Sequence, residues 1–500
     1  MRFILVTALA FLCLTSGLRA QPDPTNSAAT PGVYPLSLEE TIRFAVEHNL
    51  SLQIERYNPQ ITSFNLAGSY SDYDPVFSLQ GRQRFASSPG GFDPTINFAT
   101  QRNDTWTETF GSGITGGTPI GMKYELAANL NRSSGPNRGF QYSPDTRITV
   151  TQSLLKNAWT DGSRTQIKIN KRLIKISELD LELQVMDIVT RAQQAYYDLI
   201  FARDFIKVQE KALELAQRSA AENKRRVEVG TLAPLDEKET ESQAAAAQAN
   251  LITARSQLAT AENVVKGLFT DDYTKWHGVR LEPTENLIAI PETFNLQESW
   301  NNGITRRPDY NRRREELENQ NLRLKYSYNQ LFPSLDLVGT AGRAGLAGDL
   351  GGAAQNIRDR DFPNWSGTAV LRVPFSRTLE RNNYSRSKVE KQQALLSLKK
   401  LEQEILVEID NSVAQAKSNF ERIGATRQAS EFAAAALDAG QKKLENGRST
   451  SFEVLGLQNR LTLARSAEIQ ALADYNKSVA NLYKQEGTIL DRNKVTIIVK

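Results

Sequence analysis

Two short phrases in this 500-residue chain hold the residues whose types and spacing suggest chemistry. Glu228-Val229-Gly230-Thr231-Leu232-Ala233-Pro234-Leu235-Asp236-Glu237 reads EVGTLAPLDE, and Glu445-Asn446-Gly447-Arg448-Ser449-Thr450-Ser451-Phe452-Glu453-Val454-Leu455 reads ENGRSTSFEVL. Each has a glycine, a small polar run, an apolar residue and a carboxylate. Gly230 and Gly447, Leu235 and Phe452, and Asp236 and Glu453 are each 217 positions apart. Taken alone, the carboxylates suit helix starts. Asp236 follows Pro234, which fits a first helical position, and an acid in a first turn complements the helix dipole. Other chemistry finds no support. His48 and His277 are the only histidines, and neither has neighbours at ligand spacing, so no metal is expected. No nucleophile motif, phosphate loop or supported pair of catalytic acids occurs, so the chain reads as a non-enzyme without a cofactor.

The chain begins with the marks of export. Arg2 precedes an apolar run from Phe3 to Leu14, and Leu18-Arg19-Ala20 offers a cleavage point. Residues 1–20 therefore read as a signal peptide, with a transmembrane anchor as the rival. The single cysteine, Cys13, lies inside this segment. Ala10-Phe11-Leu12 before it lacks the small residues of a lipid-attachment site, and the mature chain has no thiol to oxidise. Loss of Arg2 and Arg19 lowers the net charge from +4 to +2, which points to no polyanionic partner. The run Arg306-Arg307-Pro308-Asp309-Tyr310-Asn311-Arg312-Arg313-Arg314-Glu315-Glu316 reads as a solvated helix face with i,i+4 pairs, not a nucleic-acid patch. After the leader no run of 18 apolar residues occurs. The mature protein is either soluble or crosses a membrane as a β-barrel.

Residues 21–35 are Pro-, Ser- and Ala-rich and read as a flexible tail. Ser37 with Glu40 forms the sequence of a capping box. That phrase returns: residues 36–42 match residues 294–300 at an offset of 258, and Asp74-Pro75 matches Phe332-Pro333. The chain divides into two halves, 36–290 and 291–490, each a whole structural unit. Each half reads as helix, strands, very long helix, twin phrase, helix: strands about 76–155 and 333–375, long helices 164–228 and 381–446, second helices 235–269 and 452–488. Phe77, Leu79, Gly81 and Phe85 alternate with Ser78, Gln80, Arg82 and Arg84, and Ala369, Leu371, Val373 and Phe375 alternate with Thr368, Val370, Arg372 and Pro374. Such strands fit a barrel wall or an ordinary sandwich equally. Ile176, Leu179, Leu183, Met186, Thr190, Gln193, Tyr197 and Ile200 step by three and four, as do Leu251 to Leu268 and Leu406, Ile409, Val413, Ala416, Phe420 and Ile423. This seven-residue period predicts coiled-coil wrapping. The first half has 41 more residues between Pro75 and Arg164 than the second has between Pro333 and Arg381. An inserted hairpin around Trp106 to Arg132, turning at Gly116-Gly117-Thr118-Pro119, accounts for them. Residues 339–363 read as a surface loop, matched by residues 87–104. Residues 495–500 read as either a short strand or a loose tail.

Taken in order, these marks resemble the TolC family of outer-membrane efflux proteins over about residues 36–490. The carriers are Leu38-Glu39-Glu40-Thr41-Ile42 with Ala45 and Asn49, Leu331-Phe332-Pro333-Ser334-Leu335, the Val373-Pro374-Phe375 strand end, and the twin phrases. The resemblance implies an α+β membrane protein: two tandem repeats, an antiparallel transmembrane β-barrel shared by a homotrimer, and a long periplasmic coiled-coil tunnel. It implies a passive outer-membrane duct for multidrug efflux or type I secretion. Its partners would be a periplasmic adaptor protein and an inner-membrane pump or ABC transporter. A secreted coiled-coil scaffold or adhesin is the rival, and it leaves the matched strand blocks unexplained. In the family, the twin phrases lie at the periplasmic tip, where carboxylates face the pore. Asp236 and Glu453 are thereby implied as gate residues, with Gly230 and Gly447 at the turns. Gly456 stands where the family often has a second aspartate, and Ser449, beside Arg448, where it has an arginine. These departures imply a mouth that is less tightly locked or less cation-selective.

Overall fold

The computed structural model describes residues 32–88, 92–93, 98–99, 102–135 and 138–496. The expected signal peptide, Cys13 and most of the expected tail lie outside them. The first half runs β1 (Val33–Leu36), α1 (Leu38–His48), α2 (Leu50–Glu55), α3 (Tyr57–Gly68), β2 (Val76–Ser88), β3 (Phe92–Asp93), β4 (Phe98–Ala99), β5 (Asn103–Gly117), β6 (Met122–Gly135), β7 (Arg138–Ser153), α4 (Gly162–Glu228), α5 (Pro234–Phe269), α6 (Tyr273–Trp276) and β8 (Arg280–Pro283). The second runs α7 (Leu296–Arg306), α8 (Pro308–Asn329), β9 (Ser334–Ala344), α9 (Leu350–Asp359), β10 (Phe362–Arg372), α10 (Thr378–Glu445), α11 (Ser451–Gln485) and α12 (Ile489–Arg492).

The offsets found in the sequence recur as geometry. At 258, Ser37 and Asn295 are both helix N-caps, and Val76 and Ser334 both open strands. Ser37 makes the full capping box: its hydroxyl accepts from the Glu40 N–H, and the Glu40 carboxylate accepts from the Ser37 N–H, each at 3.2 Å. Ala45 and Gly303, also 258 apart, are where α1 and α7 meet a long helix. Ala45 is fully buried. A Cβ on Gly303 would lie 2.5 Å from Ile409 Cδ1, so that contact has room only for hydrogen.

Helices α4 and α10 have 67 and 68 residues, about 100 Å at 1.5 Å per residue. Each pairs with the helix that follows it, α4 with α5 and α10 with α11, and α4 also packs on α11. The seam is largely as the heptads predict: Ile176, Met186, Thr190, Gln193 and Ile200 are buried on α4, and Leu251, Ala254 and Val265 on α5. One step is displaced. Phe420 is exposed and Asn419 is buried, because the Asn419 amide donates to the Asp474 carbonyl across the pair at 3.2 Å. Phe420 packs at the edge of the seam, its ring centroid 5.4 Å from that of the buried Tyr475.

The largest core lies where α1, α4, α5 and α12 meet, around Leu36, Leu52, Leu181, Tyr196, Leu199 and Phe269. Here the expected flexible tail needs correcting. Val33–Leu36 pair in parallel with Arg280–Pro283, and Tyr196 Oη donates to the Leu36 carbonyl at 3.0 Å. Burying Leu36 orders this segment despite its loop-like composition. At the other end Ile489 and Leu490 are buried and Val495 packs on the same core, so the C-terminal segment is docked as far as it is described.

The arginine run also differs from the expected solvated face. Arg313 does pair with Glu316 at 2.8 Å. Arg307, however, is half-buried and donates to Asp309, Glu408 and Gln485, Arg312 reaches Asp180 at 2.9 Å, and Arg306 pairs with Asp491. The run clamps α8 and its neighbours to α10, α4 and α12.

Candidate functional site

Two features are candidates for function: a two-faced sheet at one end and the paired turns at the other. The sheet has six antiparallel strands in the order β10-β9-β7-β6-β5-β2. The inserted residues form β5 and β6, and these stand inside the sheet between β2 and β7. Residues paired across strands share a face. One register row reads Phe77, Ile114, Leu126, Ile148, Ala341, Trp365, spanning all six strands. The next row, on the opposite face, reads Val76, Thr115, Glu125, Thr149, Thr340, Ser366. The first row is apolar and exposed, with Phe77 at 67% and Trp365 at 84%. The polar face adds Gln80, Arg82, Lys123, Arg147 and Asp336. Asp336 accepts from Ser153 at 2.8 Å and from Arg372 at 3.3 Å. A sheet so divided can stand between hydrocarbon and water. No helix among the described residues is long and apolar enough to cross a membrane.

Two strand-region expectations are corrected. Strand β10 ends at Arg372, so Val373 and Phe375 lie beyond it; Pro374 has no N–H to continue the ladder. Residues 339–363 are not one loop but the end of β9, helix α9 and the start of β10. Asp349 caps α9 by accepting from the Gly352 N–H at 2.9 Å. Gly345 lets the helix lie on the strand, since a Cβ there would be 2.3 Å from the Ala353 carbonyl oxygen. The glycines that suggested a loop serve close packing.

The twin phrases are twin turns. Gly230 and Gly447 have φ of +78° and +68°. At the first, the Gly230 N–H donates to Val227 O at 2.9 Å and the Thr231 N–H to Arg226 O at 2.8 Å. At the second, the Gly447 N–H donates to Leu444 O at 3.1 Å and the Arg448 N–H to Lys443 O at 2.8 Å. Both are Schellman motifs, in which the left-handed glycine closes a helix and satisfies its last carbonyls. Four residues after each glycine the next helix begins, at Pro234 and Ser451.

Both carboxylates then sit in first turns. Asp236 Oδ2 accepts from the Ala233 N–H at 3.2 Å. Glu453 Oε2 accepts from the Ser449 hydroxyl at 2.8 Å, and its own N–H donates to Thr450 Oγ1 at 3.2 Å. No hydrogen bond or ion pair joins Asp236 to Glu453. The turns are linked higher up, where Ser451 donates to Asn223 at 3.3 Å and Gln458 to Ser219 at 3.0 Å. These links between α4 and α11 were not legible beforehand, because short polar residues on long helices give no signal of their partner.

Space decides what the turn glycines do. Nothing lies within 4 Å of a Cβ built on Gly230 or Gly447, whereas on Gly487, with φ +72°, it would lie 3.1 Å from the Arg306 and Arg307 backbone. Gly230→Ala and Gly447→Ala should each destabilise by about 1 kcal/mol, from backbone strain alone. Gly487→Ala should lower the melting temperature further, through strain plus collision. Thermal unfolding followed by circular dichroism checks the order; three equal losses would refute it.

Solved structures with the same architecture agree. The chain aligns with the outer-membrane channel OprN at 18% identity, covering 90% of each chain, TM-score 0.67. It aligns with the Campylobacter jejuni outer membrane channel CmeC at 15% identity, covering 90% of this chain and 86% of that one, TM-score 0.66. The outer membrane protein VceC from Vibrio cholerae aligns at 15% identity, covering 90% and 96%, TM-score 0.63. No curated protein sequence matches the chain. The outer membrane efflux protein family matches residues 125–269 and 304–488, one block in each half and together most of the chain. The chain therefore belongs to the outer membrane efflux protein family, as an outer-membrane efflux channel with a periplasmic helical extension and not an enzyme.

Proposed function

We propose that this channel works as a homotrimer, with three sheets closing one barrel in the outer membrane and three sets of long helices forming one periplasmic tunnel. The observation that carries this reading is the two-faced sheet with unpaired edges. A single open sheet leaves ladder groups unsatisfied in lipid, and closure with further copies removes the edges. The long helices favour the same assembly. Leu396, Val407 and Phe432 on α10, and Ile252 and Val264 on α5, are exposed apolar residues that further copies could cover.

The duct is passive. A periplasmic adaptor protein would join its tip to an inner-membrane pump or ABC transporter, in a tripartite efflux or type I secretion system. Asp236 and Glu453 would stand at that tip in three copies each. Carboxylates crowded in a narrow mouth attract cations and repel anions, while their hydrogen bonds in the first turns hold them in place.

The test places one arginine on each face. Leu126→Arg, on the apolar row, should cost about 2–4 kcal/mol at the bilayer midplane and deplete trimer from outer-membrane extracts. Thr149→Arg, on the polar row, should leave trimer abundance close to wild type. The readout is trimer mass by light scattering after detergent extraction. Equal loss from both variants, or a monomeric wild type, would defeat the reading.

A further inference from the structure

We propose that the β5–β6 hairpin is a permanent part of the barrel wall, so that each assembly is an eighteen-stranded barrel wide enough for bulky cargo at its outer end. The inference rests on the three-copy reading above and adds its dimensions. Three sheets of six strands supply eighteen. All neighbours are antiparallel, and the count per sheet is even, so β2 and β10 run in opposite directions. The β10 edge of one copy can therefore continue the antiparallel ladder on the β2 edge of the next. Both edge strands are exposed along nearly their whole length, while β6 is mostly half-buried. The partner that fits these edges is a second copy of this chain.

The hairpin is fitted to this wall and is not laid over it. Its strands have 15 and 14 residues, matching the 13 and 16 of β2 and β7. On the polar face, Gln80, Gly111, Asn129 and Asp145 form one row across β2, β5, β6 and β7. A Cβ at Gly111 would lie 2.7 Å from Asn129 Oδ1 and 2.8 Å from Gln80 Nε2. Glycine leaves both side chains room to lie over the strand. Asn129 then donates to Asp145 at 3.3 Å, and on the opposite face Glu108 pairs with Arg132 at 3.0 Å inside the hairpin. The hairpin's turn sits where the sheet passes into α4. Gly121, with φ +83°, would place a Cβ 2.6 Å from Arg164 Nη2, and that guanidinium donates to the Asn157 and Ala158 carbonyls. The hairpin thus spans the sheet down to its helical junction.

Strand number sets width. At ~4.8 Å between strands and a tilt near ~40°, eighteen strands close at a backbone diameter of roughly 36 Å, against roughly 24 Å for the twelve that would remain without the hairpin. The polar face would line this lumen, including Arg82, Lys123 and Arg147 with Glu125, Asp145 and Asp336.

The experiment is a spin-label distance in the full-length assembly. Cys13 is the only cysteine in the chain, so Thr149→Cys labels one site per mature copy, on the polar row. Pulsed electron resonance in lipid nanodiscs, with the inward reach of the label added back, should give an inter-copy backbone distance of roughly 3 nm for eighteen strands and roughly 2 nm for twelve. A distance near 2 nm from a trimer would overturn the wide barrel and leave the trimer standing. A monomer with no inter-copy distance would overturn both. Deletion of residues 103–137, which joins the loop after β2 to the start of β7 at the same end of the sheet, should shrink the distance by about a third. An unchanged distance in that variant would also refute the proposal; if the variant does not assemble, the full-length distance decides.

Discussion

Changing Asp236 and Glu453 together to alanine is expected to abolish the cation selectivity proposed for the mouth. Three copies of each carboxylate would otherwise hold cations in the mouth and keep anions out. The effect should be largest at low ionic strength, since at ~0.1 M salt charges more than ~10 Å apart are already screened. Alanine also removes two first-turn contacts, the Asp236 bond to the Ala233 N–H and the Glu453 bond to the Ser449 hydroxyl. Loss of such contacts destabilises a helix start by about 1 kcal/mol. The amide pair Asp236→Asn and Glu453→Gln separates the two roles. Each amide keeps an accepting oxygen and loses the charge. If charge governs the mouth, the amide pair should match alanine in selectivity while its tip stays as protected from hydrogen exchange as wild type. If the residues act only as caps, the amide pair should conduct like wild type. Planar-bilayer recordings of the purified protein give the answer.

These tips were also the most legible part of the chain. A left-handed helix terminus strongly favours glycine, so Gly230 and Gly447 stand out wherever the chain turns this way. Their spacing of 217 then marks the repeat without any structure. The heptad seams were legible because apolar period is a one-dimensional signal. What was hidden depends on contacts between distant segments. Val33–Leu36 becomes a strand only because Arg280–Pro283 lies alongside. Arg307 turns inward because Glu408 and Gln485 meet it there. Helix α9 was concealed by the glycines in and before it, since Gly345 reads as a loop residue and serves as a packing surface. The placement of the β5–β6 hairpin was open for a similar reason: alternation predicts strands but not which neighbours they take.

The largest expected effect on stability comes from a buried ion pair far from both the wall and the tip. Lys266 Nζ lies 3.6 Å from Glu262 Oε2 one turn earlier on α5, with side chains 3% and 12% exposed. Val265 and Phe269 beside them belong to the main core. Glu262→Ala strands the ammonium there without its partner, a change that commonly costs about 3–5 kcal/mol. The contact is longer than a direct charge-assisted hydrogen bond, so the lower end of that range is expected, still enough to expose α5 to rapid hydrogen exchange. Lys266→Met on the Glu262→Ala background removes the stranded charge while keeping an unbranched chain, and should recover most of the loss. The pair also predicts a pH dependence. Burial pushes the Glu262 carboxyl above the ordinary glutamate range, against the pull of Lys266 and Arg280. A carboxyl raised in the folded state binds its proton more tightly there than in the unfolded chain. Its contribution is therefore fullest below the unfolded glutamate pKa and is lost as pH rises through the folded value. Wild type should gain stability locally on mild acidification, and Glu262→Gln should flatten that slope, read as hydrogen exchange along α5 at pH 5 and pH 7.5. A single Glu262→Ala variant as stable as wild type would mean that Lys266 reaches water, and that the pair does not hold this end of the tunnel wall.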